Sequence, residues 1–176
     1  MALAKHIFLT GEKQVGKSTA VQRFLRLWPG RADGFLTVSE LREGGRTLYV
    51  SSPDGRRRSL AARMSRGGPR VLSRPEAFEE LGVSLLEESG GPETITLMDE
   101  IGFLEASLPR FPAAVLARLG RPEPVLGVLR LDDNPLLRAV AEHPSVTVLT
   151  VTEENRDGLP ELLLDRFSSG KEGSHG

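Results

Sequence analysis

The sequence predicts an α/β fold of three layers, in which a mostly parallel β-sheet lies between two layers of helices and carries one antiparallel hairpin. Apolar runs and helical patterns alternate along the chain, as expected for strands joined by helical crossovers. Residues 34–51 interrupt the alternation, because two short strands there flank Glu43-Gly44-Gly45 and favour a hairpin. The predicted strands are 4–9, 34–39, 46–51, 94–98, 124–129 and 146–151, and the predicted helices are 17–28, 76–88, 107–119, 135–142 and 158–166.

Local patterns support the individual elements in order. Ile7-Phe8-Leu9 is a short apolar run, typical of a buried strand, and the helical spacing of apolar residues after it ends at Pro29-Gly30. Asn134-Pro135 combines a favoured N-cap residue with proline at the first helical position. Residues 146–151 are apolar and mostly β-branched, which predicts a strand covered on both faces.

Length and composition predict one soluble domain. The chain has 176 residues, and we expect a single domain over 1–167 followed by a disordered polar tail over 168–176. The net charge of −1 gives no reason to expect nucleic acid or an anionic membrane as a partner. The absence of cysteine excludes disulfides and thiolate metal sites. No signal-peptide core and no bilayer-spanning apolar stretch is present, so a cytoplasmic location is the expectation.

Residues 11–18 carry the strongest motif, Gly-Glu-Lys-Gln-Val-Gly-Lys-Ser, between a predicted strand and a predicted helix. The pattern matches the phosphate-binding loop of P-loop NTPases and predicts a P-loop NTPase three-layer sandwich, with an accidental glycine-rich turn that opens a helix as the alternative. The glycines let successive N–H groups face phosphate oxygens, Lys17 would reach the β and γ phosphates, and Ser18 would ligate Mg²⁺. The predicted nucleotide contacts are Gly11, Glu12, Lys13, Gln14, Val15, Gly16, Lys17, Ser18 and Thr19.

The apolar run 94–98 ends in two carboxylates, Asp99 and Glu100. Asp99 is the predicted second Mg²⁺ partner beside Ser18, and Glu100 is the predicted base that orients or deprotonates the attacking water. A capping or surface role is the alternative for such an acid pair. The upstream phosphate-binding loop favours the catalytic interpretation, and a carboxylate next to the metal ligand favours hydrolysis.

Three sets of charged residues have open interpretations. Segment 55–74 contains seven arginines and is either a solvated basic loop or a mobile arginine-bearing loop over the phosphates. Glu40 and Arg42, near the end of the second strand, form either an exposed ion pair or part of an acceptor site. Arg130 follows the strand 124–129 and is a candidate catalytic charge stabiliser, with a solvated side chain as the alternative.

Three segments in order resemble the cancer-related nucleoside-triphosphatase family of small P-loop proteins. Residues 97–105, Leu-Met-Asp-Glu-Ile-Gly-Phe-Leu-Glu, are similar to its Asp-Glu-Ile-Gly-x-x-Glu motif. Residues 34–42 are similar to its Gly-Phe-x-Thr-x-Glu-x-Arg strand with one insertion, and residues 151–157 to its late Thr-x-x-Asn-Arg-Asp element. Residues 12–14 replace the proline–glycine part of the family's loop, and residues 71–75 lack its Gly-Lys-Tyr.

The resemblance implies Mg²⁺-dependent hydrolysis of nucleoside triphosphates with loose base preference. It also implies that another strand separates the strand before the phosphate-binding loop from the hairpin side of the sheet. Asn155 and Arg156 would lie beside the base, although from the residues alone Asn155 could cap the last helix and Arg156 could be solvated. Glu105 is expected to anchor the loop after the acidic pair by hydrogen bonding.

The leading hypothesis is therefore an enzyme that converts a nucleoside triphosphate to the diphosphate and phosphate, with Lys17, Glu100 and Arg130 as catalytic residues and Mg²⁺ as cofactor. A nucleoside or nucleotide kinase is the first alternative, with Glu40, Arg42 and segment 55–74 forming an acceptor pocket. A nucleotide-gated binding module for an unknown protein partner is the second. Nucleic acid and membranes are not expected partners, since no basic stripe with interleaved aromatic residues is present.

Overall fold

A computed structural model gives the structure of residues 5–102 and 107–172, which form eight strands in one sheet with helices on both faces. The strand order is β5-β4-β3-β2-β6-β7-β1-β8. The strands are β1 His6–Thr10, β2 Arg31–Arg42, β3 Gly45–Ser51, β4 Arg58–Ser65, β5 Arg70–Ser73, β6 Thr94–Ile101, β7 Val125–Leu129 and β8 Val146–Thr150. The helices are α1 Lys17–Leu27, α2 Val83–Glu87, α3 Phe111–Leu119, α4 Pro135–Ala141 and α5 Leu159–Glu172, and the π-helical turn Phe78–Gly82 precedes α2.

Five strands form the parallel part of the sheet, as the alternation predicts. β1 pairs in parallel with β7 and β8, and β6 pairs in parallel with β7 and β2. Two strands, β7 and β6, therefore separate β1 from the hairpin, so the separation that the family resemblance implies is confirmed. The carboxyl ends of these strands meet at one edge of the sheet, where α/β folds bind ligands.

Two apolar clusters cover the two faces of the parallel part. Helices α1 and α5 pack on one face, where Phe167 lies 5.6 Å from Phe24 between ring centroids. Helices α2, α3 and α4 pack on the other face, around Phe8, Phe35 and Phe111. Because both faces are covered, every residue of β7 is buried, which explains its uninterrupted apolar sequence.

Gly127 in β7 allows the ring of Phe8 to pack directly against the backbone of β7. A Cβ atom at this position would lie 2.1 Å from the ring of Phe8 on the neighbouring strand. A ring and a side chain cannot occupy that space together, so the glycine is required by packing rather than by backbone conformation. The large Phe8 side chain is completely buried as a result.

The antiparallel part of the sheet begins where β2 runs past the end of β6. The parallel register of β2 and β6 ends at Leu36↔Asp99, and residues 37–42 continue in antiparallel pairing with β3. The predicted hairpin over 34–51 is confirmed, and its turn contains Gly44 at φ 87°, a conformation that favours glycine. β2 is longer than predicted, because β6 supports its first half and β3 its second.

Segment 55–74 is not a loop, so that expectation was wrong. It contains β4 and β5, which pair antiparallel with β3 and with each other. The glycines and proline that suggested a loop, at 67–69, lie in the turn between the two strands. The apolar stretch Leu60-Ala61-Ala62 lies in the middle of β4, where Ala61 and Ala62 are buried. Cross-strand pairing, which has no local sequence signal, fixes this region as sheet.

Two predicted helices have shifted ends. The helix expected over 107–119 begins only at Phe111, where Glu79 accepts hydrogen bonds from the N–H groups of Arg110 and Phe111 at 3.0 and 2.9 Å. Helix α5 extends to Glu172, into the segment expected to be disordered, because Phe167 packs in the core. Asn134 caps α4 as predicted, since its Oδ1 accepts from Leu137 N at 2.9 Å. No helix in the described ranges is long and apolar enough to span a bilayer.

A buried polar network holds the amino-terminal edge of the sheet. Arg118 is 2% exposed, and its guanidinium donates to Ser89 Oγ at 2.9 Å and to Thr96 Oγ1 at 2.8 Å. Thr96 in turn donates to Asp33 Oδ1 at 2.6 Å. Burial lowers the pKa of Arg118. The network lies at the edge opposite the phosphate-binding loop, so its role is structural.

His6 is structural as well, as expected from its position beside the first strand. Its Nδ1 accepts from Val125 N at 3.1 Å, so Nε2 carries the proton and donates to Leu119 O at 2.9 Å. Both ring nitrogens are thus used in the neutral form. Burial lowers the pKa of His6 to about 4.

Candidate active site

The phosphate-binding loop connects β1 to α1 at the carboxyl edge of the sheet. Gly11 and Gly16 adopt φ values of 144° and 116°, which L side chains rarely adopt. A Cβ atom on Gly11 would also lie 2.7 Å from the carbonyl oxygen of Val151. Val151 N donates to Thr10 O at 2.7 Å, so the end of β8 fixes the start of the loop.

The loop presents backbone N–H groups toward the space above the helix. The first hydrogen bond of the α1 ladder runs from Ala20 N to Gly16 O at 2.9 Å, so the N–H groups of residues 17–19 lie ahead of that ladder. Gln14 adopts φ 61°, and Val15 N donates to Glu12 O at 3.3 Å, so a tight turn forms within the loop. The start of α1 thus has two features that favour an anion, N–H groups ahead of the helical ladder and the positive end of the helix dipole.

Lys17 lies under the loop. Its side chain is 8% exposed, and Nζ donates to Gly11 O at 2.7 Å. The Lys17 side chain thus reaches back from the end of the loop to its first residue, Gly11. From this position it can contact phosphate oxygens held by the loop. Ser18 and Thr19 follow it at the exposed start of α1, and Glu12, Lys13 and Gln14 are exposed on the loop.

Asp99 lies two strands from the loop, on the same face of the sheet as α1. It pairs with Leu36, whose side chain packs in the α1–α5 cluster. Asp99 is 8% exposed, and burial raises the pKa of its carboxyl to about 7. Glu100 raises that pKa further, whereas Lys17 lowers it. Asp99 and the phosphate-binding loop therefore lie at the same edge of the sheet, and Asp99 is on the face that α1 covers.

The Asp99 carboxylate fits a cation. Asp99 is buried and burial disfavours its charged form, so a bound cation would compensate that charge. No cluster of three acidic or histidine residues that could cage a metal exists in the described chain. Mg²⁺ is commonly held by one or two protein oxygens together with phosphates, and Asp99 with the exposed Ser18 hydroxyl supplies such a set.

Glu100 lies at an irregularity of β6. The register with β7 shifts between Asp99↔Val128 and Ile101↔Leu129, and the Asp99–Glu100 peptide is cis. The backbone N–H of Glu100 approaches Thr37 Oγ1 at 3.4 Å. The register shift leaves Glu100 outside the regular pairing of β6 and β7, and the residue is half-buried. Thr37, which the sequence did not single out, supports it from β2.

Arg156 contacts the phosphate-binding loop from the opposite side. Its Nη1 donates to Val15 O at 3.3 Å, and its Cδ lies 3.4 Å from the point that a Cβ of Gly16 would occupy. Asn155 is used differently. Its Oδ1 accepts from Thr152 N and its Nδ2 donates to Thr150 O, each at 2.8 Å, so its amide orders the turn after β8.

Arg130 follows β7 at the same edge. Its N–H donates to Ile101 O at 3.0 Å, which fixes the backbone between the acidic strand and β1. Asn134 adds a second link, because its Nδ2 approaches Gly102 O at 3.4 Å. The half-buried Arg130 is thus beside the site. Glu105, expected to anchor this loop, lies outside the described residues.

The arginine-rich segment does not cover the phosphates. β4 is separated from β1 by four strands, or about 24 Å across the sheet at ordinary strand spacing. Arg57 pairs with Glu88, and Arg58 pairs with Glu40 at 2.7 Å. Glu40 therefore forms an ion pair with Arg58. Sequence analysis had considered only Arg42 as its partner. Arg42 ends β2 at the hairpin turn.

Comparison with known proteins identifies relatives of this chain. A protein-family model described as NTPase matches residues 6–164. The chain is 34% identical to the nucleoside-triphosphatase THEP1 of Thermofilum pendens, over 94% of this chain and 97% of that protein. It is 32% identical to the cancer-related nucleoside-triphosphatase of Homo sapiens, over 96% of this chain and 100% of that protein.

Two solved structures have the same fold. The crystal structure of THEP1 from the hyperthermophile Aquifex aeolicus superposes with a TM-score of 0.76 at 25% identity, covering 92% of this chain and 98% of that one. The solution structure of a human cancer-related nucleoside triphosphatase gives a TM-score of 0.75 at 29% identity, covering 94% and 99%. The P-loop NTPase fold and the family resemblance are confirmed. The chain belongs to the NTPase family that includes the THEP1 proteins and the cancer-related nucleoside-triphosphatases.

Proposed function

We propose that this protein hydrolyses nucleoside triphosphates to the diphosphate and phosphate, with Mg²⁺ and with little preference among bases. The observation that carries the proposal is the position of Asp99, which lies at the carboxyl edge of the sheet on the face covered by α1, the helix that follows the phosphate-binding loop. Several relatives are named nucleoside-triphosphatases, which supports the same activity here.

Phosphate binding, metal binding and charge stabilisation are assigned to different residues. The N–H groups at the start of α1 and the Lys17 ammonium bind the β and γ phosphates and stabilise the charge that develops on them. Ser18 and Asp99 would hold Mg²⁺, which supplies a Lewis acid that neutralises phosphate charge. Arg130 lies at the same edge and is our candidate for a further positive charge.

Glu100 would activate the water. Its carboxylate accepts a proton from a water molecule, the water oxygen bonds to the γ phosphorus, and the bond from that phosphorus to the diphosphate oxygen breaks. The products are a nucleoside diphosphate and inorganic phosphate. Glu100 follows Asp99 in the sequence, and the register shift at this point leaves it outside the regular pairing of β6 and β7.

The residues between β8 and α5, Asn155 and Arg156, support a loose base preference. Arg156 packs on Gly16 and can lie against the plane of any base, since a guanidinium stacks on all of them. Asn155, a residue type that could read base edges, has its amide engaged with Thr152 and Thr150. This arrangement supports binding without discrimination.

The proposal is tested by phosphate release from ATP, GTP, CTP and UTP, each with Mg²⁺ and with excess chelator, in the absence of any acceptor. We expect release from all four with kcat/KM values within about tenfold, since the amide of Asn155 is engaged with Thr152 and Thr150. Release should stop with chelator. Absence of release from every triphosphate would overturn the hydrolase, and equal rates with chelator would overturn the metal requirement.

A further inference from the structure

The antiparallel part of the sheet has one face without a helix among the described residues. Helices α1 and α5 cover β1, β7, β6 and the first half of β2, whereas β3 and β4 extend beyond them. Side chains alternate along each strand, and Leu36 packs in the α1–α5 cluster, so Val38 and Glu40 belong to the same face. Tyr49 pairs with Val38 and shares this face.

On this uncovered face of the antiparallel part, three side chains are in contact: Glu40, Tyr49 and Arg58. We call them the Tyr49 cluster. Arg58 Nη2 lies 2.7 Å from Glu40 Oε1, and Arg58 Cζ lies 4.2 Å from the centroid of the Tyr49 ring. The side chains of Glu40 and Arg58 are each 35% exposed. The cluster therefore brings an aromatic ring, a cation and a carboxylate together on strands rather than on a loop, with both charged side chains partly exposed.

The position of the cluster follows from the strand register. Asp99 pairs with Leu36, and Tyr49 pairs with Val38, two residues further along β2. Tyr49 is thus two strands across and two residues along from Asp99 on one face, a separation of about 12 Å. Arg156 lies at the other side of the phosphate-binding loop. If the loop holds a triphosphate as proposed above, the cluster lies beyond its γ phosphate.

We infer that the Tyr49 cluster is a second binding site, for a small planar molecule that bears hydroxyl groups, of the chemical class of nucleosides. The ring of Tyr49 and the guanidinium of Arg58 offer planar surfaces on which a base stacks. The Glu40 carboxylate can accept from base N–H groups. The distance to Asp99 is comparable to the length of one nucleoside, so its hydroxyl end would point toward the γ phosphate.

The charge at the cluster favours a neutral ligand over a phosphate. Glu40 already neutralises Arg58, so an anion would have to displace a carboxylate from a charge-assisted hydrogen bond. Asp99 and Glu100, on the near side, add negative charge that repels an anion. Arg63 is exposed on the same face and lies opposite Thr47, which itself lies opposite Glu40, so one further cation stands beside the cluster.

A purely structural ion pair is the competing explanation. An exposed pair of this kind contributes about 0–1 kcal/mol to stability and needs no ligand. The two explanations differ in binding. A structural pair gives no saturable nucleoside binding, whereas a site gives binding that depends on the ring and on the carboxylate.

The test is calorimetric titration of the full chain with adenosine, guanosine, cytidine and uridine, and separately with inorganic phosphate. The protein is first saturated with Mg²⁺ and a non-hydrolysable triphosphate, so that the phosphate-binding loop is occupied. That first titration reports on the loop, and acceptor-free phosphate release reports on hydrolysis, so failure of the proposed function is seen separately from failure of this inference.

We expect saturable binding of at least one nucleoside, weakened about tenfold or more by Tyr49→Ala and by Glu40→Gln, and kept by Tyr49→Phe, which retains the ring. Arg46→Ala is the matched control, because Arg46 pairs with Leu41 on the opposite face and is exposed. No saturable nucleoside binding would overturn the inference. Nucleoside binding by Glu40→Gln and Tyr49→Ala as tight as that of the unmodified protein, or binding of inorganic phosphate alone, would overturn it as well.

Discussion

The ammonium of Lys17 donates a hydrogen bond to the carbonyl of Gly11 at 2.7 Å, so the last turn of the phosphate-binding loop is tied to its first residue. The side chain is buried and acts electrostatically on Asp99. One residue therefore supports the loop and supplies a positive charge between the phosphates and the acidic strand. This double role makes Lys17 the most sensitive position of the site.

Replacing Lys17 should remove triphosphate binding. In Lys17→Ala the site loses the cation that balances the phosphates and the buried Asp99, so we expect affinity to fall by about a hundredfold or more. Calorimetric titration with a non-hydrolysable triphosphate measures this change. Lys13→Ala removes an exposed lysine of the same loop and should weaken binding much less. Comparable losses in the two variants would contradict the role of the buried ammonium.

Asn155 and Arg156 should separate structure from binding. Asn155→Ala removes two side-chain hydrogen bonds of the turn after β8, so we expect it to lower the free energy of unfolding by about 1–3 kcal/mol. Arg156→Ala should leave the melting temperature near that of the unmodified protein and raise KM for all four triphosphates by a similar factor. Thermal unfolding and steady-state kinetics on both variants check this, and a KM change for one base only would contradict it.

His6 should make the protein less stable in acid. Its pKa is about 4 in the folded state against an ordinary 6.5, so the unfolded chain binds the proton more tightly between these values. The free energy of unfolding should therefore fall by about 3 kcal/mol as the pH drops from 6.5 through 4. Denaturant unfolding across this range measures the fall, and NMR titration of the His6 ring gives its pKa directly. A ring pKa near 6.5 would contradict the account.

Asp99 should act in the opposite direction in the absence of nucleotide. Its pKa is about 7 in the folded state against an ordinary 3.8, so the folded protein binds the proton more tightly between these values. Stability should therefore fall as the pH rises from 3.8 through 7. Asp99→Asn cannot ionise, so at pH 8 it should melt at a higher temperature than the unmodified protein while losing activity. A lower melting temperature at pH 8 would contradict the conclusion that burial disfavours the charged form of Asp99.

The parts of the molecule that local sequence specifies were predicted correctly. The phosphate-binding loop, its flanking strand and helix, the strand ending in Asp99 and the Asn134 cap each depend on residues that are close in the chain. The hairpin turn at Gly44 is likewise local, since its backbone conformation favours glycine. Such features can be inferred from one sequence because their physical causes lie within a few residues.

The features that sequence analysis missed depend on distant partners. β4 and β5 are strands because β3 offers a free edge, and their arginines and glycines alone suggested a loop. The contact of Arg58 with Glu40 and the burial of Arg118 among Ser89 and Thr96 join residues that only the fold brings together. Charged residues on strands have no periodic signal that distinguishes solvation from pairing, so these contacts required the structure.

The most direct test of the central claim is the turnover of Glu100→Gln. The amide keeps the shape of the side chain but cannot accept the proton of water, so kcat for phosphate release should fall at least about a hundredfold while affinity for a non-hydrolysable triphosphate stays within a few fold. Glu142→Gln, which changes an exposed carboxylate at the end of α4, is the matched control and should retain full activity. A Glu100→Gln enzyme that releases phosphate at the rate of the unmodified protein would contradict the assignment of Glu100 as the base.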